Sequence, residues 1–149
     1  MHSRLKYLLP LLGVTLAVPV WAQERQRAEI PIQYQWKLTD IFTSDAAWKK
    51  AKQSFIDELP AIDAFRGTLG TSAQRLLDCL DLRSRLNKDF LRMFTYINLC
   101  LDQDLRDQST LALQQELNQI GTTFEERTSF IEPEILKINS ETIQFFLGS

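Results

Sequence analysis

The chain has 149 residues and a formal charge of −2, with 44% hydrophobic and 24% charged residues. Those proportions are ordinary for a single globular domain and lack the basic concentration that nucleic-acid binding needs. Five Gly and five Pro exclude a low-complexity chain.

His2, Arg4 and Lys6 make a short basic start, and Tyr7 to Trp21 is almost wholly apolar. Val20-Trp21-Ala22 has the small-x-small form of a signal-peptidase site. Residues 1–22 therefore read as a signal peptide cleaved after Ala22, which predicts a secreted or periplasmic product. The apolar run is too short for a comfortable transmembrane helix, and no Cys follows it for a lipid anchor. No stable membrane anchor is expected after cleavage.

Residues 23–43 read as an extended arm. Pro31 biases Ile30 away from helix. Trp36, Leu38, Ile41 and Phe42 are too apolar for a free tail and are expected to fold back as a hydrophobic clasp. A helical domain follows over 44–138. Thr43 or Ser44 caps its first helix, and Asp45 places a negative charge in the first turn, where the helix dipole favours it. Trp48, Ala51, Phe55, Leu59, Ile62 and Phe65 form one stripe. Pro60 interrupts the hydrogen bonding but not the apolar spacing, which predicts a bend near Leu59. Gly67 and Gly70 end the element.

The stretch from Ser72 to about Leu101 predicts one long helix capped by Ser72. Leu76, Cys79, Leu80, Leu86, Phe90, Met93, Phe94, Ile97 and Leu101 fall on one face at ~100° per residue. Asp78, Asp81, Arg85, Lys88, Asp89 and Arg92 fall on the other. A stripe this long needs at least two neighbouring helices. Residues 102–108 read as a polar connection. A third helix is expected from about Ser109 to Phe130, with a seam of Leu113, Leu117, Ile120, Phe124 and Ile131. Glu132-Pro133 is expected to stop it, with Pro133 in the first turn of a short helix through Leu136. Residues 139–149 read as the start of a further helix from Ser140-Glu141, cut short after Phe145-Phe146-Leu147. Those side chains either dock on the same bundle or imply that the protein continues.

The chemistry is sparse. The one His, His2, lies in the segment expected to be removed. That excludes His-based nucleophile activation in the mature chain. No Gly-rich phosphate loop and no zinc-ligand spacing occurs. Glu125-Glu126, Asp102 with Asp104, and Glu132 with Glu134 read as solvated acids. Cys79 and Cys100 cannot bridge along one helix: their separation there is ~30 Å, against ~7 Å for a disulfide. Both read as small buried apolar groups, with an intermolecular bridge as the alternative. Arg83 and Asn87 interrupt the apolar face of the long helix. Arg83 is expected to pair with Glu116 or Glu125 or to snorkel at the rim of the apolar face, or else to line a substrate groove with Asn87. Trp36, Trp48 and Tyr96 read as core before ligand site.

Several segments jointly resemble the start of the oligoendopeptidase F family, zinc metallopeptidases related to thimet oligopeptidase. They are Tyr34-Gln35-Trp36-Lys37-Leu38-Thr39-Asp40-Ile41-Phe42, Ser44-Asp45-Ala46-Ala47-Trp48, Leu59-Pro60 and Ala64-Phe65-Arg66-Gly67-Thr68-Leu69-Gly70. Tyr96-Ile97-Asn98-Leu99, Asp102, Asp104 and Phe130-Ile131-Glu132-Pro133-Glu134-Ile135-Leu136 complete the set. The resemblance implies an all-α fold of antiparallel hairpins, the non-catalytic N-terminal domain of a larger helical metallopeptidase, where it walls the channel that admits short peptides. The family's zinc is held downstream by His-Glu-x-x-His and a further Glu. None of those residues is in this sequence, so no catalytic, cofactor-binding or metal residue carries over. Zinc is implied for a full-length enzyme only. The implied partners are a missing C-terminal catalytic domain and oligopeptide substrates. A signal peptide departs from the family's better-known cytoplasmic members. The expected function is thus the channel-forming part of an exported oligopeptidase, inactive alone. The alternatives are a stand-alone exported helical module that binds peptides or proteins, and a structural helical hairpin that oligomerises.

Overall fold

The computed structural model describes residues 30–148. The signal peptide expected over 1–22 and the first part of the arm lie outside the described residues. Among the described residues the chain is helical with no strand, as the sequence predicts.

The longest element is α2 (Ala73–Gln103), against which α1 (Asp45–Glu58) and α3 (Gln108–Thr128) pack. The Ser72 hydroxyl accepts the Arg75 N–H and starts α2, and no Gly or Pro interrupts it before Gln103. Both neighbours run antiparallel to it. Early α1 meets late α2, where the Tyr96 hydroxyl donates to Asp45 at 2.9 Å, and late α1 meets mid-α2, where Arg85 pairs with Glu58 at 2.6 Å. Likewise Gln114 near the start of α3 donates to Asn98 at 2.6 Å, and Phe124 reaches back to Phe90.

This arrangement divides the apolar surface of α2 between two cores. Leu86, Met93, Tyr96, Ile97 and Leu101 join Phe42, Trp48, Phe55, Leu59, Leu117 and Phe124. Nearer the start of α2, Cys79 joins Ile62, Leu69, Phe130 and Ile131. Leu82 touches both clusters. Each fully buried side chain of this size gains about 1.5–3 kcal/mol of transfer free energy. Leu80 departs from the expected face: it is exposed, at the edge of the buried arc.

Pro60 does not break the first hairpin. α1 passes at Glu58 into a 3-10 segment over Leu59–Phe65, and Leu59 and Ile62 stay buried across the change. Proline fits here because the tighter segment starts afresh around it, leaving its missing N–H among the donors a helix start does not pair. The turn that follows needs Gly67, whose φ is +77°. Its N–H donates to the Glu134 carboxylate at 2.7 Å. The Arg75 guanidinium lies over the Phe65 ring at 4.2 Å and also donates to Thr68 and to the Ala64 carbonyl.

Two boundaries differ from the sequence expectation. Asp107 caps α3, its carboxylate accepting the Ser109 N–H at 2.9 Å and the Thr110 N–H at 3.3 Å. At the other end α3 stops at Thr128, before Pro133 rather than at it. The chain turns at Ser129 and Phe130, so that Phe130 and Ile131 enter the second core, and Pro133 then falls in the first turn of α4 (Ile131–Lys137). The last element is α5 (Ser140–Gly148). Asn139 accepts the Thr142 N–H at 2.8 Å at its start.

Candidate functional site

The arm over 30–42 is fixed to α2 at its end. Phe42 is buried, with its ring edge on Tyr96 at 5.4 Å between centroids. The Arg92 guanidinium lies over the Phe42 ring at 4.5 Å and donates through Nε to the Ile41 carbonyl at 3.1 Å. Leu38 and Ile41 are half-buried against the same core. Trp36 corrects the expected clasp: it is 63% exposed. The clasp closes only from Leu38, where a short 3-10 turn over Leu38–Asp40 redirects the chain onto α2.

Trp48 and Tyr96 are core residues. Trp48 is 1% exposed, and its indole N–H donates to the Met93 carbonyl at 3.2 Å. The phenol of Tyr96 is pushed well above its ordinary pKa, first by burial and then by its bond to Asp45. With Trp36 outside, the three aromatics do not line one site.

Arg83 and Asn87 take the rim reading rather than that of a buried cross-helix pair. Both are exposed, so neither is a buried polar group in want of a partner. They lie past the margin of the buried arc centred on Leu86. Glu116 is taken by Lys52 at 2.6 Å. Arg83 instead lines a cleft of about 350 Å³ with Leu80, Glu125, Ile131, Glu132 and Ile135.

The acid pairs separate in the structure. Glu134 holds the Gly67 N–H, Asp104 accepts from Arg106 at 3.1 Å, and Glu125, Glu126 and Glu132 are exposed. Among the described residues no group of three His, Cys, Asp or Glu is placed to hold a metal ion. Cys79 and Cys100 are both free thiols. Cys79 is fully buried and its pKa is raised by that burial and by the nearby Glu134; Cys100 is only half-buried, short of what the sequence predicts. Among the described residues no helix is long and apolar enough to cross a membrane.

The last two helices expose large apolar side chains. In α5 Phe145 is 72% and Leu147 83% exposed, and no α5 residue is buried. Leu136 on α4 is 77% exposed. The three contributions that sequence reasoning missed are positional: Arg92 on the arm, Glu134 on the Gly67 turn and Asp107 as a cap. Asp107 followed by Ser109 and Thr110 carried a cap signal. Arg92 and Glu134 act across long sequence separations and carried none.

No family model matches the chain. Individual proteins do. Oligopeptidase PepF of Bacillus subtilis is 29% identical over 136 residues, which is 91% of this chain and 20% of that protein. Group B oligopeptidase PepB of Streptococcus agalactiae is 28% identical over 81% of this chain and 20% of its own length. The plasmid-encoded oligoendopeptidase F of Lactococcus lactis subsp. cremoris is 29% identical over 83% and 21%. A crystal structure of a candidate peptidase from Chlamydophila abortus superposes with a TM-score of 0.72 at 26% identity, covering 84% of this chain and 21% of that one. The chain matches the N-terminal region of oligoendopeptidase F-like peptidases. It spans about a fifth of the length of the relatives it matches. The matching region of this chain is a three-helix body with a short α4–α5 extension.

Proposed function

We propose that this chain is the N-terminal, channel-forming part of an exported oligopeptide-hydrolysing zinc metalloendopeptidase, without a catalytic centre and inactive alone. The observation that carries this reading is the coverage: nearly all of the chain aligns with oligopeptidases, over only a fifth of their length. The family's zinc does not fit the residues present, because the described acids are dispersed among structural roles and surface positions. No catalytic step is assigned to them.

In this reading α5 is the junction. Phe145 and Leu147 forgo burial worth about 1.5–3 kcal/mol each until a further domain covers them. The reading also takes residues 1–22 as an export signal.

The DNA that follows codon 149 tests this. The expected result is an in-frame sequence encoding His-Glu-x-x-His; a stop codon with no such downstream coding region overturns it. The purified mature chain with added zinc should not cleave a quenched fluorescent oligopeptide. Chelator-sensitive cleavage would show that the metal site lies within this chain.

A further inference from the structure

α2 carries a second stripe beside its buried arc, exposed along much of its length and meeting the first core at Phe94. Leu77, Leu80, Ser84, Asn87, Leu91 and Phe94 follow one another at steps of three and four, the spacing of a coiled-coil seam. Leu77 and Leu91 are each 51% exposed and Leu80 36%. Phe94 sits half-buried at the margin, stacked on Phe90. α3 lies beside the stripe, and Leu77, Ser84, Asn87 and Leu91 are left exposed.

The stripe matches itself when reversed. Turn a second copy of α2 end over end about an axis passing between Arg85 and Leu86. Leu77 then falls opposite Phe94, Leu80 opposite Leu91, and Ser84 opposite Asn87. Two apolar layers at each end thus flank a polar centre. The charges beside the stripe follow the same symmetry. Asp81 comes level with Lys88 of the second copy to within two residues, about 3 Å along the axis. The two-fold axis repeats that approach with the roles exchanged. Asp81 and Lys88 are both exposed, and neither has an ion-pair partner among the described residues.

We propose that this face of α2 is a homodimer interface, in which two copies pack antiparallel about that axis. The apolar layers supply contact area, the Ser84–Asn87 layer penalises any slipped register, and the Asp81–Lys88 pairs select the antiparallel direction. A symmetric interface needs only one self-complementary patch, and this is such a patch. The inference goes beyond the function proposed above and stands without it.

Sedimentation velocity on the mature chain tests the inference by a charge exchange. The unmodified chain is expected to dimerise at high micromolar concentration. Asp81→Lys sets two like-charged pairs in the dimer and should weaken it about tenfold, whereas Asp81→Lys with Lys88→Asp restores opposite pairing and should return affinity to within about twofold. Both sites are exposed, so circular dichroism should be unchanged in either variant. Phe145→Ser, at the α5 end, should leave the association untouched. A chain that stays monomeric throughout this range overturns the proposal. So does a dimer insensitive to Asp81→Lys, a double variant that fails to recover, or dissociation by Phe145→Ser.

Discussion

Gly121 of α3 abuts the ring of Phe90 on α2: a Cβ at Gly121 would stand 2.7 Å from Phe90 Cζ and 3.3 Å from Cε2. The ring has little room to retreat. It meets Phe55 and Phe94 at 5.9 Å and Phe124 at 6.2 Å between centroids. The missing side chain at residue 121 is what allows α2 and α3 their close approach. Gly121→Ala gains about 1 kcal/mol of helix propensity. It also overpacks the contact, at about 1–3 kcal/mol. The expected net effect is a loss of about 1 kcal/mol, read as a lower urea midpoint at unchanged slope. A midpoint that rises would mean that Phe90 yields freely.

Asp107 gives the stability a pH signature. Its carboxylate accepts the hydroxyls of Ser109 and Thr110, each at 2.6 Å, as well as the two N–H groups at the start of α3. These bonds hold its pKa down at about 2. A carboxyl depressed in the folded state stabilises fully above its unfolded pKa of about 3.9, and that contribution fades as pH falls toward about 2. Asp107→Asn keeps an acceptor for the cap but cannot titrate. The unmodified chain should therefore be the more stable of the two at pH 5, and its advantage should shrink through pH 4 to 2. Urea midpoints across that range measure it; parallel curves would refute the cap's charge dependence.

Glu134 ties the turn at Gly67 to α4. Removing its carboxylate leaves the exposed Gly67 N–H to water, so Glu134→Ala should cost about 0.5–1.5 kcal/mol. Glu134→Gln retains an acceptor and should recover most of it. The same carboxylate lies near Cys79, whose thiol is held up chiefly by burial. A thiol with little thiolate and no access reacts slowly. Cys79 should resist a disulfide reagent at pH 8 in the native chain and react once urea unfolds it. Rapid native labelling of Cys79 would mean that the second core opens readily.

The long helix was legible because its signals are local. Ser72, the unbroken run to Gln103 and the apolar spacing lie in one stretch, and each acts on its own neighbours. Ser44 is of the same kind. The failures lie where geometry between elements decides. The spacing could not say where the buried arc ends, so Leu80 and Arg83 were set inside it. Apolar content alone placed Trp36 in the clasp, although the turn at Leu38–Asp40 controls which side chains reach α2. Pro133 marked the neighbourhood of a helix end but not its position. The second core claims Phe130 and Ile131, and that tertiary demand moved the break to Thr128. The uncovered side chains at Phe145 and Leu147 needed the packing to be known.

Tyr96 tests the joint between the arm, α1 and α2 without disturbing its packing. Phe42 rests edge-on against the Tyr96 ring at an interplanar angle of 79°, and a Phe at residue 96 keeps that contact. Only the hydroxyl, which donates to Asp45 at 2.9 Å, is lost. At neutral pH Tyr96→Phe should cost about 0.5–1.5 kcal/mol, the net worth of one such bond. The alkaline limb gives the second readout. The Tyr96 pKa is raised in the folded chain, so its contribution is complete below the unfolded value of about 10 and is lost as pH climbs through the folded one. The unmodified chain should then lose stability above pH 10 more steeply than Tyr96→Phe, and the two urea midpoints should converge. Midpoints that stay a constant distance apart would show that the hydroxyl titrates in the folded chain as it does in the unfolded one.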